Sequence, residues 1–248
     1  MINEILTSQL QRLRLKGLLD TLESRFKQAE DENFTAAEFL QLIFQDEIGR
    51  REAESLSKRL QKAKFESKYT FDNLILTEYS NEIQRTIRNL KTGIFLNDNQ
   101  NVIIMGPTGT GKTHLAHALG HVACCKGSST RFIRTNAMFR ELLISRADLS
   151  WSKVFASYVK PKVLILDDFA IKSMTPDQAE DIYELIAERM INTSFIITSN
   201  RTVDAWVQLF PDPVMANAAL DRLANNSHQL ILDGDSYRKK NRPILEDV

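Results

Sequence analysis

The sequence predicts an α/β protein: a parallel sheet flanked by helices, preceded by a small all-helical domain. Three observations carry the prediction. From about residue 71 onward, short apolar, β-branched runs alternate with helical stretches, the pattern of strands joined by crossover helices. One of these runs, NVIIM, leads directly into the glycine-rich stretch GPTGTGKT at residues 106–113. Residues 1–66, by contrast, hold no such runs and carry their apolar side chains at helical spacing.

In the first zone Leu6, Leu10, Leu13, Leu18, Leu22 and Phe26 recur every three to five residues and predict an apolar stripe on one helix face. Thr35 and Glu38, in the stretch TAAE, fit a capping box that starts a further helix. Phe39, Leu42, Ile43, Ala53, Leu56, Leu60 and Ala63 continue that helix. Gly49 within it either bends it or lowers its propensity by about 1 kcal/mol relative to alanine. Neither glycine nor proline punctuates residues 50–92, so only the fading helical period marks the domain boundary. We place the helical domain at 1–68 and a second, α/β domain at 69–248.

The strands of the second zone are expected at Val102–Met105, Arg131–Arg134, Val163–Leu166, Phe195–Thr198 and Gln229–Leu232. No internal repeat or low-complexity segment interrupts them.

The bulk numbers exclude little but bound the class. The 248 residues include 32 basic and 32 acidic side chains, so net charge points to no partner. No apolar run reaches the length of a membrane span, and MINEILTSQLQRLRLK is amphipathic, without the apolar core of a secretory signal. The two cysteines, Cys124 and Cys125, are adjacent, which is neither a disulfide framework nor a metal-ligand spacing and suits a reducing cytosol.

GPTGTGKT fits the phosphate-binding pattern G-x-x-x-x-G-K-[ST], with Gly106, Gly111, Lys112 and Thr113 in the fixed places. Glycines let backbone N–H groups turn inward and approach phosphate oxygens, and the following helix adds its positive N-terminal end. Residues Gly106, Pro107, Thr108, Gly109, Thr110, Gly111, Lys112, Thr113 and His114 are therefore expected to hold ATP. Lys112 would reach the β- and γ-phosphates, and Thr113 would bind Mg²⁺. The apolar strand before the loop and the helix after it weigh against a chance match.

VLILDDF, residues 163–169, is an apolar strand ending in two carboxylates. Asp167 is expected to hold the same magnesium ion as Thr113, and Asp168 to orient or deprotonate an attacking water. The spacing from Lys112 to Asp167 leaves room for an inserted strand, as in the additional-strand P-loop ATPases. SFIITSN ends in Asn200, either a hydrogen-bond partner of the water or γ-phosphate, or a plain turn residue. Arg201 is equally a phosphate contact or a surface charge.

GPTGTGKTHLA, LILDDF, TSNR, DPVMANAALDRL and GDSYR, with LRLKG near the start, resemble the IstB family of transposition ATPases. These belong to the initiator and helicase-loader clade of AAA+ proteins, alongside the DnaC loaders, and the resemblance covers nearly the whole chain. It implies a bacterial, cytoplasmic and nucleoid-associated ATPase that binds ATP and multimerises on duplex DNA with little sequence preference. It further implies that the protein deforms that DNA and recruits and regulates an IstA-type transposase. It also makes Arg222, near the end of the NAALDRL helix, the arginine finger that completes a neighbouring subunit's γ-phosphate site; the alternative is a surface pair with Asp221. Two departures from general AAA+ proteins stand out. Asp168 occupies a place where glutamate is commoner, and its reach is one methylene shorter. The sequence leaves no room after the last strand for a helical lid, so Arg238 is a weak candidate for a sensor.

Local basic patches supply candidate DNA contacts despite overall neutrality. Residues 50–68 carry seven basic side chains against three acidic ones, and Arg51, Lys58 and Lys62 fall on a similar helix face. The segment FRELLISRADLSWSKVF precedes the acidic strand and contributes Arg140, Arg146 and Lys153; the clade has an extra helix there, lining the inside of its assemblies. RKKNR, Arg238 to Arg242, is a third patch. Each is otherwise a solvated face. No base-reading motif is present, so contacts would be to phosphate and salt-sensitive. The nearest alternative is a DnaC-like helicase loader, which shares this ATPase core. A small-molecule kinase is more distant, because no arginine-rich lid or substrate pocket follows the loop.

Overall fold

The structure, a computed structural model, describes residues 4–233. The chain divides into two compact units between Lys58 and Arg59. Among the described residues no helix is long and apolar enough to cross a membrane.

The first unit holds α1 (Glu4–Arg12), α2 (Lys16–Asp31) and most of α3 (Ala36–Ala63). The apolar stripe read as one helix face is split between α1 and α2. The chain turns at Leu13–Leu15, where Arg14 takes a left-handed φ of 58°, and Leu13 is left exposed. Leu10, Leu18, Leu22 and Ile43 form the small core. The turn is pinned by a buried carboxylate: Glu47 of α3 accepts from the Gly17 N–H at 2.6 Å. A Cβ on Gly17 would lie 2.8 Å from that carboxylate, which explains a glycine in the LRLKG stretch. The predicted capping box is present, with the Thr35 N–H and Glu38 N–H satisfied reciprocally by the Glu38 and Thr35 side chains at 2.7 and 3.3 Å. Helix α3 passes through Gly49 without interruption.

The second unit opens with the last turns of α3, two short 3₁₀ turns and α4 (Asn81–Lys91). It then alternates β1 (Asn101–Met105), α5 (Lys112–Cys125), β2 (Thr130–Arg134), α6 (Thr135–Ala147), α7 (Trp151–Val159), β3 (Val163–Asp167), α8 (Pro176–Glu188), β4 (Ser194–Ser199), α9 (Val203–Trp206), α10 (Pro213–Ala224) and β5 (Ser227–Ile231). All pairings are parallel, in the order β2-β3-β4-β1-β5. Each expected strand is found, and β4 is inserted between β1 and β3.

Strand alternation divides the core in two. Val102, Ile104, Val163, Ile165 and Ile196 face one side with Leu115, Leu119, Ile87 and Leu90 of α5 and α4. Ile103, Met105, Leu164, Leu166 and Ile197 face the other, with residues of α6, α7, α8 and α10. With helices on both faces, the central strands are buried throughout, as parallel sheets require. Arg189 is also fully buried, and burial pushes its guanidinium down to about 9. It donates to the carbonyls of Tyr158, Val159, Pro161 and Ser194, tying the end of α7 to the start of β4.

Candidate nucleotide site

Strand β1 delivers the chain into the loop at the carboxyl edge of the sheet. Gly106 has φ 143°, and a Cβ there would lie 2.3 Å from the Leu232 carbonyl oxygen, so no side chain fits. Leu232 donates its N–H to the Met105 carbonyl at 2.7 Å, extending the β1–β5 pairing to the lip of the loop. Gly109 and Gly111 take φ of 92° and 88°, the left-handed turns that roll amides inward. Gly111 caps α5 without a side-chain hydrogen bond, leaving the first amides of that helix to the loop.

Inside this loop Pro107 and Thr108 are exposed and Thr110 is buried. The Thr110 hydroxyl and the Lys112 ammonium both donate to the Pro107 carbonyl, at 3.0 and 2.7 Å. The buried Tyr79 hydroxyl donates to the Thr110 carbonyl at 2.9 Å and braces the loop from below. Thr113, in the first turn of α5, donates to both oxygens of Asp167, at 3.0 and 3.2 Å. His114 turns away from the loop: its Nε2 meets the Thr70 carbonyl and Asn73 Oδ1 at 3.1 and 2.9 Å, and Tyr69 stacks on its ring. His117, one turn on, donates Nδ1–H to the Thr113 carbonyl at 2.9 Å and stacks on Phe132. Burial pushes both imidazoles below their usual range.

Asp167 closes β3 and is 1% exposed. Its carboxylate accepts from the Thr198 hydroxyl at 2.6 Å, and its carbonyl from the Thr135 hydroxyl at 3.0 Å. Asp168 then takes a left-handed φ of 56°, and its N–H donates to Thr198 Oγ1 at 2.9 Å. Asn200 and Arg201 sit exposed just beyond β4. Thr198, Thr135 and Tyr79 are the site residues that sequence reasoning missed. Thr198 was findable: it is the first polar residue after the apolar run Phe195–Ile197, at the carboxyl end of the strand, where the site lies.

A hydroxyl and a carboxylate side by side offer hard oxygen donors, which fit Mg²⁺. Among the described residues no group of three or more histidine, cysteine or acidic side chains could hold a metal. Two protein oxygens suit an ion that keeps waters and takes substrate phosphates as its other ligands.

Arg222 lies on α10 with its guanidinium 5.2 Å from the centre of the Tyr183 ring. Its neighbour Asp221 accepts from Asn225 at 2.7 Å, and among the described residues Arg222 makes no ion pair. The DNA candidates differ in their freedom. Arg51 is engaged by Glu47 at 2.6 Å, whereas Lys58 and Lys62 are exposed on α3. Arg140 and Lys153 are exposed on α6 and α7. Arg146 grips Asp181 with two bonds, of 3.0 and 2.6 Å. Arg140 and Arg146 line a groove of about 460 Å³ with Leu143 and Lys172. GDSYR, Arg238 and the RKKNR patch lie outside the described residues.

The sheet order, the loop between β1 and α5 and the acidic end of β3 define an ATP-binding P-loop protein of AAA+ type. Residues 8–244 match the model of the IstB-like ATP binding proteins, and the chain belongs to that family. An ATP-binding protein of an insertion sequence in Mycobacterium tuberculosis is 44% identical over 239 residues, 96% of this chain and 95% of that protein. The ATP-binding protein of insertion sequence IS21 in Pseudomonas aeruginosa is 31% identical over 233 residues, 94% of this chain and 88% of that protein. In fold, the chain is similar to the DnaC helicase loader, with a TM-score of 0.57 and 23% identity over 66% of this chain and 97% of that one. It is similar also to AMPPCP-bound DnaA from Aquifex aeolicus, with a TM-score of 0.57 and 20% identity over 69% of this chain and 52% of that one.

Proposed function

We propose that this protein is the ATP-hydrolysing helper of an insertion sequence, which multimerises on duplex target DNA, deforms it and recruits a partner transposase. The observation that carries the reading is the Thr113–Asp167 pair at the mouth of the loop, in a chain whose relatives are insertion-sequence ATP-binding proteins.

In this reading the amides of residues 106–113 and the Lys112 ammonium bind the triphosphate. Thr113 and Asp167 would hold Mg²⁺, which would offset phosphate charge when bound. Asp168 orients the attacking water, Asn200 completes its hydrogen bonding, and Arg222 of one subunit reaches the γ-phosphate held by the next. The role of the protein is mainly to position and to offset charge. Exposed basic side chains at Lys58, Lys62, Arg140 and Lys153 meet DNA phosphates without reading bases. The boundary we propose between the helical module and the ATPase domain remains at about residue 68, and a cytoplasmic, nucleoid-associated location follows from the DNA partner. The insertion-sequence relatives favour a transposase partner over a replicative helicase.

Phosphate release from ATP, measured with and without random duplex DNA, tests the reading. DNA-stimulated turnover by the wild type and its loss in Lys112→Ala are expected. Phosphoryl transfer to a small acceptor with no response to DNA would overturn it.

A further inference from the structure

We infer that Thr198 is a positioning residue that couples the two acids of the site. The inference rests on the reading of Asp167 as metal holder and Asp168 as water-orienting acid. Thr198 is fully buried near the end of β4, the strand inserted between β1 and β3. Its single hydroxyl does two things at once. It donates to Asp167 Oδ1 at 2.6 Å and accepts the Asp168 N–H at 2.9 Å. Its carbonyl accepts the Phe169 N–H at 2.8 Å, so Thr198 holds two successive amides, those of Asp168 and Phe169.

Asp168 is the residue that needs such a clamp. Its φ of 56° is unfavourable for a residue with a Cβ and persists only where the surroundings impose it. The bond from its N–H to Thr198 is one such imposition, and it fixes the backbone from which the Asp168 carboxylate departs. The other half of the hydroxyl's bonding orients the Asp167 carboxylate that Thr113 also meets. One rotor therefore meets both the Asp167 carboxylate, which would hold the metal, and the backbone of the acid beside it. Outer partners of this kind change metal affinity or activity by about 10- to 100-fold when removed.

The experiment compares wild type, Thr198→Val, Thr198→Ser, Asp167→Asn and Asp168→Asn as full chains. The readouts are ATP turnover, the Mg²⁺ concentration for half-maximal turnover, fluorescent-nucleotide affinity with Mg²⁺ and with EDTA, and hydrogen exchange of the Leu166–Ala170 segment. Thr198→Val, close to isosteric, is expected to lower turnover about 10- to 100-fold and to raise the Mg²⁺ requirement. Its nucleotide affinity in EDTA stays at the wild-type value, and exchange in the segment quickens about fivefold. Serine restores the hydroxyl and most of each property. Wild-type turnover and Mg²⁺ dependence in Thr198→Val overturn the inference. So does a loss that extends to affinity in EDTA and is not recovered by serine, since that marks packing alone. Wild-type turnover in Asp167→Asn and Asp168→Asn would instead sink the reading of the two acids, whatever Thr198 does.

Discussion

The Thr113 hydroxyl lies 3.0 Å from one carboxylate oxygen of Asp167 and 3.2 Å from the other, although 54 positions separate them in the chain. Parallel pairing sets β1 and β3 with their carboxyl ends on one edge, so a residue in the first turn of α5 and the residue that closes β3 meet there. Thr113→Ala removes the hydroxyl and leaves the Asp167 carboxylate as the only one of the two side chains able to hold the ion. Nucleotide affinity in the presence of Mg²⁺ should fall by about 10-fold or more, at least what losing an outer partner of a metal ligand costs, with little change in EDTA. Binding of a fluorescent ATP analogue under both conditions checks this.

Arg222→Ala should bind ATP like the wild type and lose hydrolysis by about 10³-fold or more. Tyr183 lies against the guanidinium, so Tyr183→Phe, which keeps the ring, should retain turnover. Mixing Arg222→Ala with a Lys112→Ala subunit, each defective alone, should restore part of the activity if the arginine acts on a neighbour. Full turnover by Arg222→Ala removes it from the site.

In the helical unit, Glu47 is held down to about 2 from the usual 4.5, first by Arg50, then by Arg51 and the Gly17 N–H. A carboxylate with a depressed folded value stabilises the fold above its unfolded value, and this contribution is lost as the pH falls from about 4.5 toward 2. Glu47→Gln should therefore quicken hydrogen exchange across Leu15–Leu22 at pH 7. The difference from the wild type should shrink as the pH approaches 2, where the wild-type carboxyl also protonates.

Arg140→Ala and Lys153→Ala should each weaken duplex binding by a similar factor on unrelated sequences. Each should reduce the slope of log affinity against log salt by about 1, the mark of a single phosphate contact. Titrations at several salt concentrations on two unrelated duplexes check this. A change confined to one sequence would mean base reading instead.

Much of the nucleotide site was legible because its parts are local. Gly106 to Thr113 form a contiguous pattern, and Asp167 closes an apolar run whose β-branched residues mark a strand. The features that escaped are those made by tertiary approach. Thr198 gains its meaning from lying next to β3, and Tyr79 from passing under Thr110, and neither contact leaves a periodic trace. The break at Leu13–Leu15 escaped for another reason. Helical periodicity tolerates a turn that keeps the apolar residues facing one core, and no glycine or proline stands between Arg12 and Lys16 to announce it. The division between Lys58 and Arg59 falls within α3, where composition does not change.

In the proposed function, a triphosphate at this loop drives assembly on DNA. Electron microscopy and gel filtration of the purified chain with random duplex DNA, with and without ATP, test it most directly, with Lys112→Ala alongside. Ring or spiral assemblies on DNA are expected for the wild type with ATP only, and none for Lys112→Ala. A wild type that stays monomeric with ATP and DNA together, or a Lys112→Ala variant that assembles as well as the wild type, contradicts it.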